Sequence, residues 1–155
     1  MGYPFVHESK GQLHMWYGTH LEWGKTGHEV THAFREARSF DGITWTPSAE
    51  ICVPVAGGEE FAISRPWIFR HLGRYRMLFA RRFAKYRMGS AYSSDGLNWV
   101  RDDTFSFVGH EEEWEAGEQT YPSTFSLNGR TYLLYNGAGY GRSGFGLAVL
   151  EAEAT

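Results

Sequence analysis

The feature that most constrains this chain is a pattern repeated three times in one register. Pro4, Pro66 and Pro122 each head a short apolar stretch: YPFVHE, RPWIFR and YPSTFS. Seven residues after each proline stands a glycine (Gly11, Gly73, Gly129). Eleven after it comes Met15, Met77 or Leu133, and thirteen after it comes Tyr17, Phe79 or Tyr135. A second element follows in the first two copies: Ala37 to Trp45 (ARSFDGITW) matches Ala91 to Trp99 (AYSSDGLNW) at constant spacing. The third copy reaches Gly144-Phe145-Gly146-Leu147-Ala148 without an Asp-Gly or a tryptophan. Self-similarity at a fixed period marks a repeat architecture, in which each copy is one supersecondary unit.

Each copy translates into strands. The proline is expected to open strand A, where its missing N–H is tolerable. Lys10-Gly11, Leu72-Gly73 and Asn128-Gly129 read as hairpin turns into strand B (LHMWYG, YRMLFA, TYLLYN). Strand C is HAFREARS, YRMGSAYS or GFGLAVL. Asp41-Gly42 and Asp95-Gly96 suit a tight hairpin, because both residue types tolerate left-handed dihedrals. Strand D is expected to carry Trp45 or Trp99. Aromatics make up 17% of the 155 residues and there are 19 glycines, which favours strands and turns over helices. Four antiparallel strands per copy is a β-propeller blade. The expectation is therefore an all-β chain of about two and three-quarter blades, with repeats near 3–55, 60–108 and 118–152. Propellers close with about four to eight blades, so the missing blades are expected from a longer chain or from a homo-oligomer partner.

Charge and composition remove several function classes. Fifteen Lys+Arg against eighteen Asp+Glu give a net charge of −3, so no nucleic-acid partner is expected. No apolar run approaches the roughly 18 residues of a membrane-spanning helix, and MGYPFVHESKG lacks the basic head and apolar stretch of a secretion signal. The lone Cys52 leaves no internal disulfide and no cysteine-built zinc site. It fits a reducing compartment, so a cytoplasmic location is expected.

Antiparallel order places the A–B and C–D turns on one face and the B–C loops and D–A connections on the other. The second face collects the variable segments 18–31, 53–65, 80–86, 104–121 and 136–143, and such loops on a rigid scaffold commonly carry function. Asp41 and Asp95 fall on the first face and read as turn formers, and Glu111–Glu113 reads as a solvated charge run. The candidates that remain are Glu60 and Glu118 as catalytic acids, with Arg65, Arg81, Tyr121, Asn136 and His20 as substrate-binding groups. Carboxylates for acid/base work beside guanidinium groups and aromatic faces suit a carbohydrate ligand. The pattern calls for no cofactor and no metal.

These motifs also bear a family likeness. Glu60-Phe-Ala-Ile-Ser-Arg65-Pro66-Trp67-Ile68, Tyr75-Arg-Met77 and Tyr86-Arg-Met-Gly89-Ser-Ala91-Tyr-Ser93-Ser-Asp95-Gly96-Leu-Asn-Trp99 resemble the five-bladed propellers of the glycoside hydrolase family 43 and family 32 type. The segment Tyr135-Asn136-Gly137-Ala-Gly139-Tyr140-Gly141-Arg-Ser-Gly144-Phe145-Gly146-Leu-Ala148 resembles the C-terminal end of an uncharacterised branch of that group. The resemblance implies that the chain corresponds to the C-terminal half of a typical member. It also implies an axial pocket in which an Asp near the start of the first blade, a second Asp and a Glu general acid do the chemistry. Where invertase-like members read Arg-Asp-Pro, this chain reads Ser64-Arg65-Pro66, so the second carboxylate has no counterpart and Arg65 carries over as a pocket residue. A sugar-binding or assembly module without turnover is the alternative.

His28-Glu29-Val30-Thr31-His32 matches H-E-x-x-H and, within Gly27 to Phe34, resembles thermolysin- and neprilysin-type metallopeptidases. That chemistry needs both histidines on one helical face with Glu29 activating a zinc-bound water. In the repeat register, however, His32 aligns with Tyr86 at the start of strand C. A strand is expected there, and zinc catalysis is the weakest of the three readings.

Overall fold

In the computed structural model, which describes residues 2–24, 30–105 and 113–150, two kinds of turn alternate and fold the chain into three antiparallel meanders. The first is β1 (Gly2–Ser9), β2 (Gln12–Trp23), β3 (Val30–Ser39) and β4 (Thr46–Val53). The second is β5 (Ala62–His71), β6 (Arg74–Arg82), β7 (Tyr86–Ser93) and β8 (Val100–Asp102). The third is β9 (Thr120–Leu127), β10 (Arg130–Asn136) and β11 (Phe145–Leu150). Strands pair with their chain neighbours within each meander, and one parallel bridge, His32 to Ala62, joins the first two. The described chain is nearly all β, and its sheets do not close on themselves.

The β1–β2, β5–β6 and β9–β10 connections are two-residue hairpins in which both residues are left-handed. Their φ values are 53° and 76° at Lys10-Gly11, 49° and 79° at Leu72-Gly73, and 51° and 75° at Asn128-Gly129. That geometry matches the right-handed twist of the flanking strands, and glycine at the second position adopts it without steric cost.

The other connection differs from its expected form. Residues 40–45 and 94–99 are six-residue loops, not tight hairpins, and each is built around an aspartate side chain. Asp41 Oδ1 accepts from the Ile43 and Thr44 backbone N–H groups at 2.9 and 2.7 Å. Asp95 Oδ1 accepts from Leu97 and Asn98 at 2.8 Å each. Ser39 and Ser93 donate their hydroxyls to the same oxygens at 2.9 Å. Only the glycine is left-handed, at 74° in Gly42 and 80° in Gly96. The aspartate contributes acceptor oxygens, not an unusual backbone. Trp45 and Trp99 close these loops one residue before β4 and β8.

The prolines also sit elsewhere than expected. None opens its strand; each lies inside strand A at a β-bulge. Between Gly2↔Gly18 and Phe5↔Trp16, β1 holds one residue more than β2. The same excess occurs between Ser64↔Ala80 and Trp67↔Leu78, and between Thr120↔Asn136 and Ser123↔Leu134. A bulge frees a backbone N–H from the ladder, which is where a proline can be accommodated within a strand. Each Tyr-Pro or Arg-Pro bulge faces Tyr17, Phe79 or Tyr135, so the thirteen-residue spacing of the sequence is a contact across one hairpin.

Two apolar layers hold the meanders face to face. Trp16, Phe34, Val53, Ile63, Ile68, Met77 and Phe79 are buried between the first and second. Within this layer Phe34 and Phe79 meet edge to face at 5.6 Å, as do Trp16 and Trp99 at 6.1 Å. Leu78 and Met88 pack on Leu133 and Tyr135 between the second and third.

Candidate functional site

The three bulges converge. Tyr3, Arg65 and Tyr121, the residues before the prolines, have φ of 57°, 58° and 54°, a region that costs a non-glycine residue about 1 kcal/mol. The Arg65 guanidinium carbon lies 4.7 Å from the Tyr3 ring centre and 4.5 Å from that of Tyr121, within reach of a cation–π contact on both sides. The strands beneath are joined in the same order. Phe5 of β1 meets Trp67 of β5 at 5.2 Å, and Trp67 Nε1 donates to Thr124 Oγ1 of β9 at 2.9 Å. One position of the repeat, occupied three times, thus forms a Tyr–Arg–Tyr stack where the inner strands meet.

A lateral row of strand partners extends this cluster: His20↔His32, His32↔Ala62, Ala62↔Arg82 and Arg82↔Tyr86. The His20 and His32 rings stack at 4.5 Å and 12°, with Trp23 edge-on to His20 at 4.4 Å. Arg82 Nη1 donates to Tyr86 Oη at 2.5 Å and to Tyr140 Oη at 3.4 Å. Tyr140 in turn stacks on Tyr121 at 6.0 Å, which links the row back to Arg65. Burial, then the neighbouring charges of His20 and Arg82, push the His32 imidazole down to about 4, so it is neutral at physiological pH. Burial pushes the Tyr86 phenol up to about 12, and it raises the Tyr121 phenol against the opposing pull of Arg65. Among the described residues neither Arg65 nor Arg82 is ion-paired with a carboxylate. The cluster is therefore cationic and aromatic, and its Tyr86 and Tyr121 phenols are un-ionised at neutral pH.

The remaining candidates fall in two places. Glu118 and Asn136 brace the turn at 138–141, whose Gly139 and Tyr140 are left-handed at 62° and 63°. Glu118 Oε2 accepts from the Gly139 N–H at 3.0 Å, and Asn136 Nδ2 donates to the Tyr140 carbonyl at 3.1 Å. Both hold Tyr140 against the cluster.

Glu60 and Arg81 lie apart from it. The Glu60 carboxylate, 2% exposed, accepts from Arg81 Nε, from Arg101 Nη1 and Nη2 at 2.8 and 3.1 Å, and from the Ala56 N–H at 2.9 Å. Burial alone would raise its pKa, but the bonds from Arg101, Ala56 and Arg81 outweigh it and hold the group below the usual carboxylate range. Arg101 belongs to β8, the strand at the opposite edge of the second meander from β5. Nearness in sequence to strand A suggested an axial position for Glu60. The connection instead runs along the outer strand, and Glu60 is held in an ion-paired network with Arg81 and Arg101. Arg81 is consumed by the same network.

His20 was expected in a loop, but it lies in β2, which extends to Trp23; Arg81 and Arg82 likewise end β6. In the H-E-x-x-H segment, His28 and Glu29 lie outside the described residues, as do Glu111 and Glu112. Val30, Thr31 and His32 are extended in β3 and not helical, so the i, i+4 helical face of a zinc peptidase is not formed at its second histidine. Tyr3, Arg82, Tyr86 and Tyr140 complete the cluster without having been singled out as binding groups, and His32, read from the sequence only within H-E-x-x-H, joins them. Tyr3 was recoverable from the sequence, because it holds the same repeat position as Arg65 and Tyr121.

No family model matches the chain. It is 40% identical over 154 residues to the uncharacterised protein Rv1502 of Mycobacterium tuberculosis, covering 97% of this chain and 51% of that protein. The chain thus spans about half the length of the curated relatives it matches. Among solved structures it is similar to Zg3597, a family 117 glycoside hydrolase of Zobellia galactanivorans, with a TM-score of 0.75 at 17% identity over 97% of this chain and 52% of that one. It is also similar to the GH32 β-fructofuranosidase BmSUC1 of Bombyx mori, with a TM-score of 0.69 at 17% identity over 86% and 29%. An exo-1,5-α-L-arabinanase from a bovine ruminal metagenomic library gives 0.66 at 17% identity over 96% and 49%. At these identities the likeness is one of fold: the chain has the fold of part of a propeller glycoside hydrolase.

Proposed function

We propose that this chain is part of a carbohydrate-active, glycoside hydrolase-like propeller protein, and that its contribution to the axial site is to bind and orient sugar. The observation that carries this reading is the Tyr3–Arg65–Tyr121 stack at the meeting point of the inner strands. Ring faces accept the C–H face of a pyranose or furanose. The guanidinium groups of Arg65 and Arg82, which have no carboxylate partner among the described residues, suit hydroxyls or a carboxylate substituent, through bonds stronger than neutral ones. Hydrolysis by the usual route takes two carboxyl groups flanking the scissile bond. Of the two candidate acids Glu118 is the one that borders this cluster, and the three bulge positions hold Tyr, Arg and Tyr. A hydrolytic pair would need a second carboxylate from the rest of a complete ring.

A binder without turnover is the second reading, and the identity of those three bulge residues favours it. Titration with neutral and uronic-acid oligosaccharides, together with hydrolysis of chromogenic glycosides, tests both. The expected outcome is saturable binding that weakens at least tenfold in Arg65→Gln and prefers the uronic sugar. Hydrolysis abolished by Glu118→Gln would select the enzyme, whereas binding with no hydrolysis would select the module. If no sugar perturbs the Tyr3 and Tyr121 resonances, the axial proposal falls.

A further inference from the structure

At the opposite end of the sheets, among the hairpins and aspartate loops, lies a cavity of about 300 Å³ between the first and second meanders. It is lined by His7, Lys10, Gln12, His14 and Tyr75, with the Asp95–Leu97 segment as its far wall. One lining residue, His14, belongs to an ordered polar network behind the wall. His14, 6% exposed, places Nδ1 at 2.6 Å from Oε1 of the equally buried Glu36. Arg38 Nε donates to both Glu36 oxygens at 3.1 and 3.3 Å, and its Nη2 donates to Oε2 at 3.1 Å. The Glu36 oxygens are acceptors in this network, so the histidine nitrogen that faces them carries the hydrogen. The ring orientation is thereby fixed, with Nε2 left for a further partner. Trp16 holds the ring in place, stacked at 6.0 Å. His14 is thus oriented by a buried carboxylate, as functional histidines are, and it takes no part in the axial cluster.

We propose that this cavity is a second binding site, for a hydroxylated organic anion of monosaccharide size. A ligand hydroxyl hydrogen-bonds His14 Nε2, the Lys10 ammonium at the rim takes the anionic group, and the Gln12 amide and the Tyr75 ring supply a further polar contact and an apolar wall. The Asp95 carboxylate on the far wall is tied into its own loop. Its oxygens are occupied by the Leu97 and Asn98 N–H groups, the Ser93 hydroxyl and the Asn98 amide. The volume is at the lower end of small-molecule pockets and matches a monosaccharide-sized ligand.

The test uses the full chain carrying Arg65→Gln, so that the axial cluster does not contribute. Glucose 6-phosphate and glucuronate are titrated while the His14 imidazole resonances are followed by NMR. Saturable shifts with either probe are expected, at least tenfold weaker with glucose, and weakened at least tenfold by Lys10→Gln, a rim substitution that leaves the buried network untouched. Stronger binding of glucose 6-phosphate would identify phosphate esters as the source of the anion, and stronger binding of glucuronate would identify sugar acids. Absence of any saturable shift with both probes would overturn the proposal, as would equal affinity in Lys10→Gln. Inorganic phosphate binding as tightly as glucose 6-phosphate would also overturn it, since the hydroxyl contact to His14 would then contribute nothing.

Discussion

His32 shows how one side chain can couple the candidate site to stability. Its imidazole is held at about 4 in the fold against 6.5 for the free group, because burial and the nearby His20 and Arg82 disfavour the cation. Between those two values the unfolded chain binds more protons than the folded one. This group therefore costs nothing above about pH 6.5, and its destabilisation grows as pH falls towards 4. Thermal unfolding followed from pH 7.5 to pH 4 should show a fall in Tm that is shallower in His32→Gln, which has nothing to protonate. Parallel curves for the two proteins would contradict the buried, neutral state. Arg65 carries a different cost. A left-handed backbone is retained there although glycine would adopt it freely, and what the arginine gains in return is its place between two aromatic rings.

Within single elements, the strand C glycines explain what the repeat conserves and where it departs. Gly89 of β7 pairs with Phe79, Gly146 of β11 with Tyr135, and the matching residue of β3 is Arg35, opposite Tyr17. In the second and third meanders the aromatic ring lies flat over the glycine. A methyl group added at Gly89 would stand 2.5 Å from the Phe79 ring and 2.6 Å from the Arg81 side chain, and the Glu60 bonds prevent Arg81 from withdrawing. Gly89→Ala should therefore destabilise the chain by about 1–3 kcal/mol, the usual penalty of overpacking, as read from denaturant midpoints. An unchanged midpoint would mean that the sheet yields at this point. Strand order was legible in the sequence because turn residues announce themselves: Lys10-Gly11 marks a tight hairpin, and Asp95-Gly96 marks a chain reversal although its form is a six-residue loop. The bulges were not legible, since a proline that starts a strand and one that interrupts it read alike until the register is known. The surroundings of Glu60 were not legible for a related reason. Its distance along the chain from Pro66 is short, but the connection follows the outer strand before it turns inward.

At the level of the whole molecule, the repeat identifies which surfaces normally meet a neighbour. Trp16, Leu78 and Leu134 each stand twelve residues after their proline, on the face that looks towards the next sheet. Trp16 and Leu78 are buried there, at 2% and 1% exposure. On the third sheet, Leu134 shares its face with Leu147 and Val149 of β11 and Phe125 of β9, which are 58%, 46% and 43% exposed. A contiguous apolar face of this kind marks an interaction surface. The isolated chain is accordingly expected to self-associate in sedimentation velocity experiments, and the double substitution Leu147→Lys and Val149→Lys should shift it towards the 17.7 kDa monomer. A monomeric parent over a wide concentration range would argue against the face as a contact. One further consequence belongs to the bulges. Because the backbone turn at Tyr3, Arg65 and Tyr121 is fixed by the proline that follows and by the hairpin beneath, the side chain it carries is an interchangeable part. Three codons could then rewrite the chemistry of the centre while the scaffold stays as it is, so related chains with unlike ligands should differ first at the residue before each proline.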